Sequence, residues 1–406
     1  MFSSRFKPKY GPWFGLSLLL CTGLFSLGCG YSSSGGTSNL LPPIVNNTLP
    51  ITVNAGPAGN YADGAFTSVK ICLPNSTTCQ TINGILVDTG SVGLRLLASA
   101  VTVNLTDQTS GTSTVGECLP FSGFYTWGPV ANADVKLAGE TASNIPIQLI
   151  NASGFAAAPS ACTSQGLSAV NTVNDLGANG ILGVGIYNHD CGTGCTATAN
   201  NPNLYYSCTS SSCTAMNQPL ANQVQNPVSL FAHDNNGVII SLPSISANGA
   251  PTVNGSLIFG IGTQADNGLG SATIFATDTS GNISASYQGT KYSNSYIDSG
   301  SNGYFFLDSS TTGLPACSLN TGFYCPTNPT TFSVTLTGSN TSSGNLSFSI
   351  GNADALFGSS DTAYDDLGGP NPNSFDFGLA FFFGRKVYTA INGASTPGGT
   401  GPYWAY

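Results

Sequence analysis

A mainly antiparallel, all-β chain of two lobes is what this 406-residue sequence predicts, and three observations carry the prediction. Turn formers abound: 51 glycines and 23 prolines accompany only 7% charged residues, so runs that build surface helices are scarce and few, short helices are expected. Hydrophobic residues reach 41%, with 22 Phe and 16 Tyr, ample for buried cores. One phrase occurs twice, as Asp88-Thr89-Gly90-Ser91-Val92-Gly93 and Asp298-Ser299-Gly300-Ser301-Asn302-Gly303. Each copy is entered from apolar residues, Ile85-Leu86-Val87 or Tyr296-Ile297, and leaves through others, Leu94-Arg95-Leu96-Leu97 or Tyr304-Phe305-Phe306-Leu307. That reads as strand, tight turn, strand, twice over. A carboxylate at the tip of such a turn is held by rigid scaffold, and two such turns imply two lobes meeting at one site.

Taken in chain order, residues 1–29 read as an address. Arg5, Lys7 and Lys9 form a basic start, and 14–27 is an apolar stretch too brief for a comfortable membrane span. The stretch ends Ser26-Leu27-Gly28-Cys29, which resembles a bacterial lipobox with Ser26 where Leu is usual. The resemblance implies lipidation of Cys29, the alternative being ordinary signal cleavage nearby. Residues 30–50, rich in Ser, Gly, Asn and Pro, read as a tether that would hold a domain beside a membrane through the N-terminal lipid alone. Two lobes are then expected, 51–235 and 236–406, each with one copy of the phrase.

Charge narrows the partners. Three of nine basic residues and none of the eighteen acids lie in the leader, so the rest carries twelve net negative charges. With a pI near 4.3 the chain lacks the basic footprint that nucleic acid requires.

Of twelve cysteines, ten remain after Cys21 and Cys29, an even number that in an exported chain reads as disulfides. Cys72 and Cys79 flank a hairpin turn, and Cys317 with Cys325 would close another short loop. Cys191, Cys195, Cys208 and Cys213 could pair locally or as a nest, which leaves Cys118 to Cys162. The spacing of those four beside His189 is not that of a common zinc module, so no metal is expected. His189 and His233 read as loop histidines.

The two phrases resemble the Asp-Thr/Ser-Gly-Ser/Thr turns of the pepsin-like aspartic peptidases. Further landmarks follow in that family's order: Asn179-Gly180-Ile181-Leu182-Gly183-Val184-Gly185, like the segment crossing behind the first aspartate; Gly255-Ser256-Leu257-Ile258-Phe259-Gly260, like the strand opening the second lobe's sheet; and Phe377-Gly378-Leu379-Ala380-Phe381 with Val387-Tyr388-Thr389-Ala390-Ile391, like the segment behind the second aspartate. The ending at Phe382 to Tyr388 also resembles that of a group of bacterial secreted lipoproteins. The resemblance implies the bilobal pepsin-like acid protease fold, an aspartic endopeptidase needing no cofactor, and a monomer acting on peptide or protein substrates.

It further implies Asp88 and Asp298 as a catalytic pair, with Thr89 and Ser299 tying the turns together, Ser91 and Ser301 at the outer carboxylate oxygens, and Gly90 and Gly300 supplying amides. Such a pair shares one proton, because two carboxyls in contact cannot easily both ionise. One takes a proton from water while the other polarises the amide carbonyl. Three departures stand out: Arg95 seven residues after Asp88, where Trp is usual; a candidate flap, 118–128, without the Tyr-Gly-x-Gly pattern; and Leu379 where Asp is usual. Phe121, Tyr125 or Trp127 is expected to cover the cleft, and Arg95 either to face it or to form a surface or interlobe ion pair. The alternative is a pepsin-fold binding or structural lipoprotein that does not cut.

Overall fold

The computed structural model describes residues 46–247 and 249–406. The expected leader, the lipidated Cys29 and most of the tether lie outside the described residues. Strands dominate, and the four α-helices among the described residues are single turns, Ser160–Thr163, Val173–Leu176, Ser309–Thr312 and Ala353–Leu356.

Each phrase sits in the same local build. The strand Cys79–Asp88 alternates while one face is exposed and becomes continuously buried over Ile85, Leu86 and Val87 as it approaches the turn. The chain reverses over residues 89–91 and leaves as Val92–Leu97, buried throughout. Gly180–Val184 slots between the two arms, parallel to the first (Gly183 beside Asp88) and antiparallel to the second (Gly183 beside Gly93). A strand buried on both faces reads as a near-continuous apolar run, and Ile181-Leu182 flanked by glycines meets that demand. In the second copy Thr290–Ile297 leads to Asp298, Tyr304–Leu307 leads away, and Asn371–Phe377 lies between them, parallel to one (Ile297 beside Phe377) and antiparallel to the other (Tyr304 beside Phe377).

A shared antiparallel sheet underlies both copies. Thr48–Asn54 pairs with Val253–Phe259, that strand with Gly237–Leu242, then Arg385–Ala390, Tyr403–Ala405 and Ile274–Ala276. Beginning, middle and end of the chain are thereby stitched together. This refines two sequence expectations: 255–260 belongs to the shared sheet and not to a sheet of the second lobe's own, and so does 387–390. Of the closing segment, Phe377 to Leu379 lies behind the turn of Asp298, with Leu379 N donating to Ser301 O at 2.7 Å.

One continuous core runs through both copies, and its two ends differ in composition. Val69, Ile71, Ile85, Val87, Leu94 and Leu96 fill the first with aliphatic side chains. Phe306 anchors the second, with Phe332 and Phe348 edge-on and Phe375 stacked on it at 5.5 Å. Burying each such side chain stabilises by roughly 1.5–3 kcal/mol. Five disulfides clip the loops: Cys72–Cys79, Cys118–Cys162, Cys191–Cys195, Cys208–Cys213 and Cys317–Cys325. The four-cysteine cluster therefore pairs locally and not as a nest.

Candidate active site

The two turns interlock. Thr89 N donates to Ser299 Oγ at 3.1 Å, Ser299 N donates to Thr89 Oγ1 at 2.9 Å, and Ser299 Oγ donates to Val87 O at 2.8 Å. Each hydroxyl thus satisfies backbone of the opposite turn, fixing the distance between the turns without any direct main-chain pairing. Both aspartates are almost wholly buried, Asp88 at 2% and Asp298 at 1% exposure. Gly90 N donates to Asp88 Oδ1 and Gly300 N to Asp298 Oδ1, each at 2.8 Å. On the outer oxygens, Ser91 Oγ donates to Asp88 Oδ2 at 2.5 Å and Ser301 Oγ lies 3.1 Å from Asp298 Oδ2.

The pair is in contact. A hydrogen bond joins the two carboxyls, and burial, followed by the charge of Asp88 and then that of Asp376, pushes Asp298 well above the usual carboxylate range. The glycines are required here: a Cβ on Gly90 would stand 2.5 Å from Asp298 Cγ, and one on Gly300 2.6 Å from Asp88 Oδ1. Any side chain at either position would displace the opposing carboxyl.

Asp376 is a site residue that the sequence reading missed. It lies at 1% exposure on the strand crossing behind Asp298, and Ser301 Oγ reaches its Oδ2 at 2.7 Å. Its signal was an acid between Phe375 and Phe377, two residues before Gly378 and the apolar run Leu379-Ala380-Phe381. Tyr61 was missed too, and nothing in its turn-rich surroundings marks it. Burial first, then Asp88 and Asp298, push its phenol up, which sets it beside the pair.

The flap is the hairpin of Ser113–Pro120 and Phe124–Leu137, with its turn at 121–123. Phe121 and Phe124 stack at 4.7 Å and, with Tyr61, Leu176 and Ile181, wall a cavity of about 10 Å3 against Asp88, roughly the room of one water. Of the three expected cover residues only Phe121 is there. Tyr125 and Trp127 point the other way, because residues two apart on a strand share a face. Tyr125 is buried beside the Cys118–Cys162 bond, while Trp127 packs on Phe155 and Tyr206 and donates Nε1 to Ala156 O at 2.8 Å.

Arg95 neither faces the cleft nor lies at the surface. It is fully buried, with Nη2 2.6 Å from Glu117 Oε1 and 2.9 Å from Asp190 Oδ2, and Nη1 donating to Val92 O. Tyr205 donates its hydroxyl to Asp190 at 2.8 Å. A charge can be buried only if paired, and two acids converge on this one. Since Glu117 belongs to the flap's first strand, the guanidinium ties the strand leaving Asp88 to the flap from behind. Burial, then the charge of Glu117, push Asp190 well above the usual range while Arg95 pulls it down.

Cys317, Cys325 and Asp354 also come together, but both sulfurs are committed to a disulfide.

Two lobes, each presenting an Asp turn with a strand threaded between its arms, and a single carboxyl pair between them, define the bilobal pepsin-like acid protease fold. By sequence, residues 43–406 match the family described as Protein of unknown function (DUF3443), and the chain belongs to that family. No curated protein matches it. Among solved structures it is similar to the aspartic proteinase from Irpex lacteus, at 16% identity over 88% of this chain and 96% of that one, with a TM-score of 0.49.

Proposed function

We propose that the protein is an aspartic endopeptidase of the bacterial cell envelope, exported and tethered through a lipid on Cys29. One observation carries the activity: Asp88 and Asp298 are in hydrogen-bond contact, with no cation among the described residues acting on Asp298, and are held by turns that brace each other. In that setting one carboxyl is ionised and takes a proton from water as the water attacks an amide carbonyl. The other, Asp298, carries the proton, polarises the carbonyl oxygen and then protonates the leaving nitrogen. Phe121 and Phe124 would lie over an extended peptide and favour apolar side chains beside the scissile bond. Five disulfides accord with folding in an oxidising compartment.

A binding module is the second reading, and the tightness of the site favours it: the flap leaves about 10 Å3 beside Asp88, so substrate entry requires the flap to lift. Incubating purified protein with a mixed peptide library across acidic and neutral pH, with and without a transition-state-mimicking aspartic peptidase inhibitor, separates the two. Inhibitor-sensitive cleavage supports the peptidase; tight retention of peptides that are never cut supports the binder.

A further inference from the structure

The space beside Asp88 is shallow because side chains of this chain fill it from below. Beyond the two turns it is bounded by Phe121 and Phe124 of the flap and by Tyr61, Leu86, Leu176 and Ile181 of the body. Leu86 lies two residues before Asp88 on its strand, Ile181 lies on the threaded strand, and Leu176 ends the single-turn helix that Thr172 caps. All three are buried in one apolar cluster with Phe66, Leu97 and Ile150. Lifting the flap would carry Phe121 and Phe124 away and leave this floor in place. Tyr61 is the half-buried member at the rim, and its ring is clamped. A Cβ on Gly64 would stand 2.6 Å from Tyr61 Cδ1 and one on Gly177 2.3 Å from its Cδ2, so the ring occupies a slot that two glycines leave open. Phe66 meets it edge-on at 5.5 Å. A ring packed on both faces cannot swing aside for a ligand without displacing backbone.

We infer that Tyr61 is a specificity-determining residue: together with Leu86, Leu176 and Ile181 it fills the side-chain space beside Asp88, so that the substrate residue entering there is alanine or glycine. The inference rests on the peptidase reading and narrows its substrate class to peptides with a small residue at the cut. Successive side chains of an extended peptide point to opposite faces, so of the two residues flanking the scissile bond only one enters this space. A lifted flap makes room for the peptide backbone, while the depth beneath it is set by the body. The room left is about 10 Å3, that of one water, which suits a methyl group and not a branched or aromatic side chain. Larger groups would force the clamped ring and its neighbours off their positions. The flap phenylalanines then cover a small residue and do not themselves receive a large one.

Peptides whose scissile amide is replaced by an uncleavable hydroxyethylene group, with Ala, Leu or Phe at either flanking position, test this by titration calorimetry on the purified protein, alongside cleavage of the matching ordinary peptides. Wild type should bind the Ala peptide about tenfold or more tighter than the Phe peptide at one flanking position only. Tyr61→Ala should erase or reverse that ratio at the same position and leave the other position as it was. Tyr61→Phe, which keeps the ring, should retain the ratio. A merely structural Tyr61 would weaken every peptide alike. Equal wild-type affinity for Ala and Phe at both positions overturns the inference, as does an unchanged ratio in Tyr61→Ala. Should that variant not fold, Tyr61→Val is read in the same way, and the wild-type ratio is a test by itself. Binding with the expected ratio but no cleavage leaves the size rule standing and sinks the peptidase reading alone. Cleavage without size preference does the reverse, and failure to bind or cut any peptide sinks both.

Discussion

Two pairs of buried carboxyls, each distant in sequence, meet in this fold, and they differ in what stands beside them. Glu117 and Asp190 converge on Arg95, which touches both within 2.9 Å. Asp88 and Asp298 meet each other, with a third acid, Asp376, next in line. A guanidinium turns a pair of acids into a strut: Arg95 holds Glu117 on the flap's first strand and Asp190 to the strand leaving Asp88, even though burial and then Glu117 keep Asp190 well above the usual carboxylate range. Where no cation is supplied, the same two side chains must keep a proton between them, and that proton is free to do chemistry. The difference teaches where to look for reactivity in a fold with many buried acids.

The largest expected effect removes the proton's home. Asp88→Asn or Asp298→Asn should cut hydrolysis by on the order of a thousandfold while the folded baseline is kept, since the volume is preserved. The double variant should lose little more, because the pair acts as a unit. Steady-state rates on one cleaved peptide check this, and additive losses would mean the two groups work independently.

The Arg95 strut is probed by stability, with rate as the control. Arg95→Met leaves two acids buried without their cation and should cost about 3–5 kcal/mol in a urea titration. The pH limbs of cleavage should stay where they are, and a limb that moves would connect the guanidinium to the site after all.

Disulfides offer a graded comparison between flap and periphery. Cys118–Cys162 closes a separation of 44 residues and Cys72–Cys79 one of 7, so chain entropy gives about 4 and about 2.5 kcal/mol respectively. Removing each by paired Cys→Ser changes should lower the Tm in that order. Loss of the first should also loosen the flap strand that carries Cys118, read as faster amide exchange over 113–127.

The smallest effect concerns stability against pH. Burial raises Asp63, Asp190 and Asp298 well above the usual carboxylate range, and raises Asp366 to about 6. A raised folded-state value means that the folded protein binds more protons. Its contribution is therefore fully present below the ordinary value near 4 and is lost as pH rises through the folded one. Thermal melting should accordingly be highest at about pH 4 and decline through 6 and beyond, whereas a Tm that climbs from pH 4 to 7 would mean these acids are ionised in the folded protein.

How much of this was legible depends on how local the cause is. The Asp turns, their hydroxyls and the threaded Gly180–Val184 strand were readable, because each is a short pattern whose chemistry lies within a few residues. Cys72–Cys79 and Cys317–Cys325 were readable as short loops, but the pairing within 191–213 was open until strand Tyr205–Cys208 was seen to turn back directly into Cys213–Ala215. Arg95 was placed wrongly because burial of a charge depends on partners 22 and 95 residues away. Tyr125 and Trp127 failed for a plainer reason: a one-residue choice of face on the flap decides which aromatics meet the cleft. Asp376 could have been singled out as an acid between two phenylalanines, yet its bond to Ser301 spans 75 residues and no spacing predicts it.

A proton shared by Asp88 and Asp298 is tested most directly by the pH dependence of kcat/KM on a cleaved peptide. The predicted result is a bell with both limbs set by the carboxyl pair, its alkaline limb lost in Asp298→Asn and its acidic limb lost in Asp88→Asn, each on a much lowered residual rate. Wild-type cleavage that persists undiminished in both variants, or no cleavage between pH 2 and 8, would contradict it.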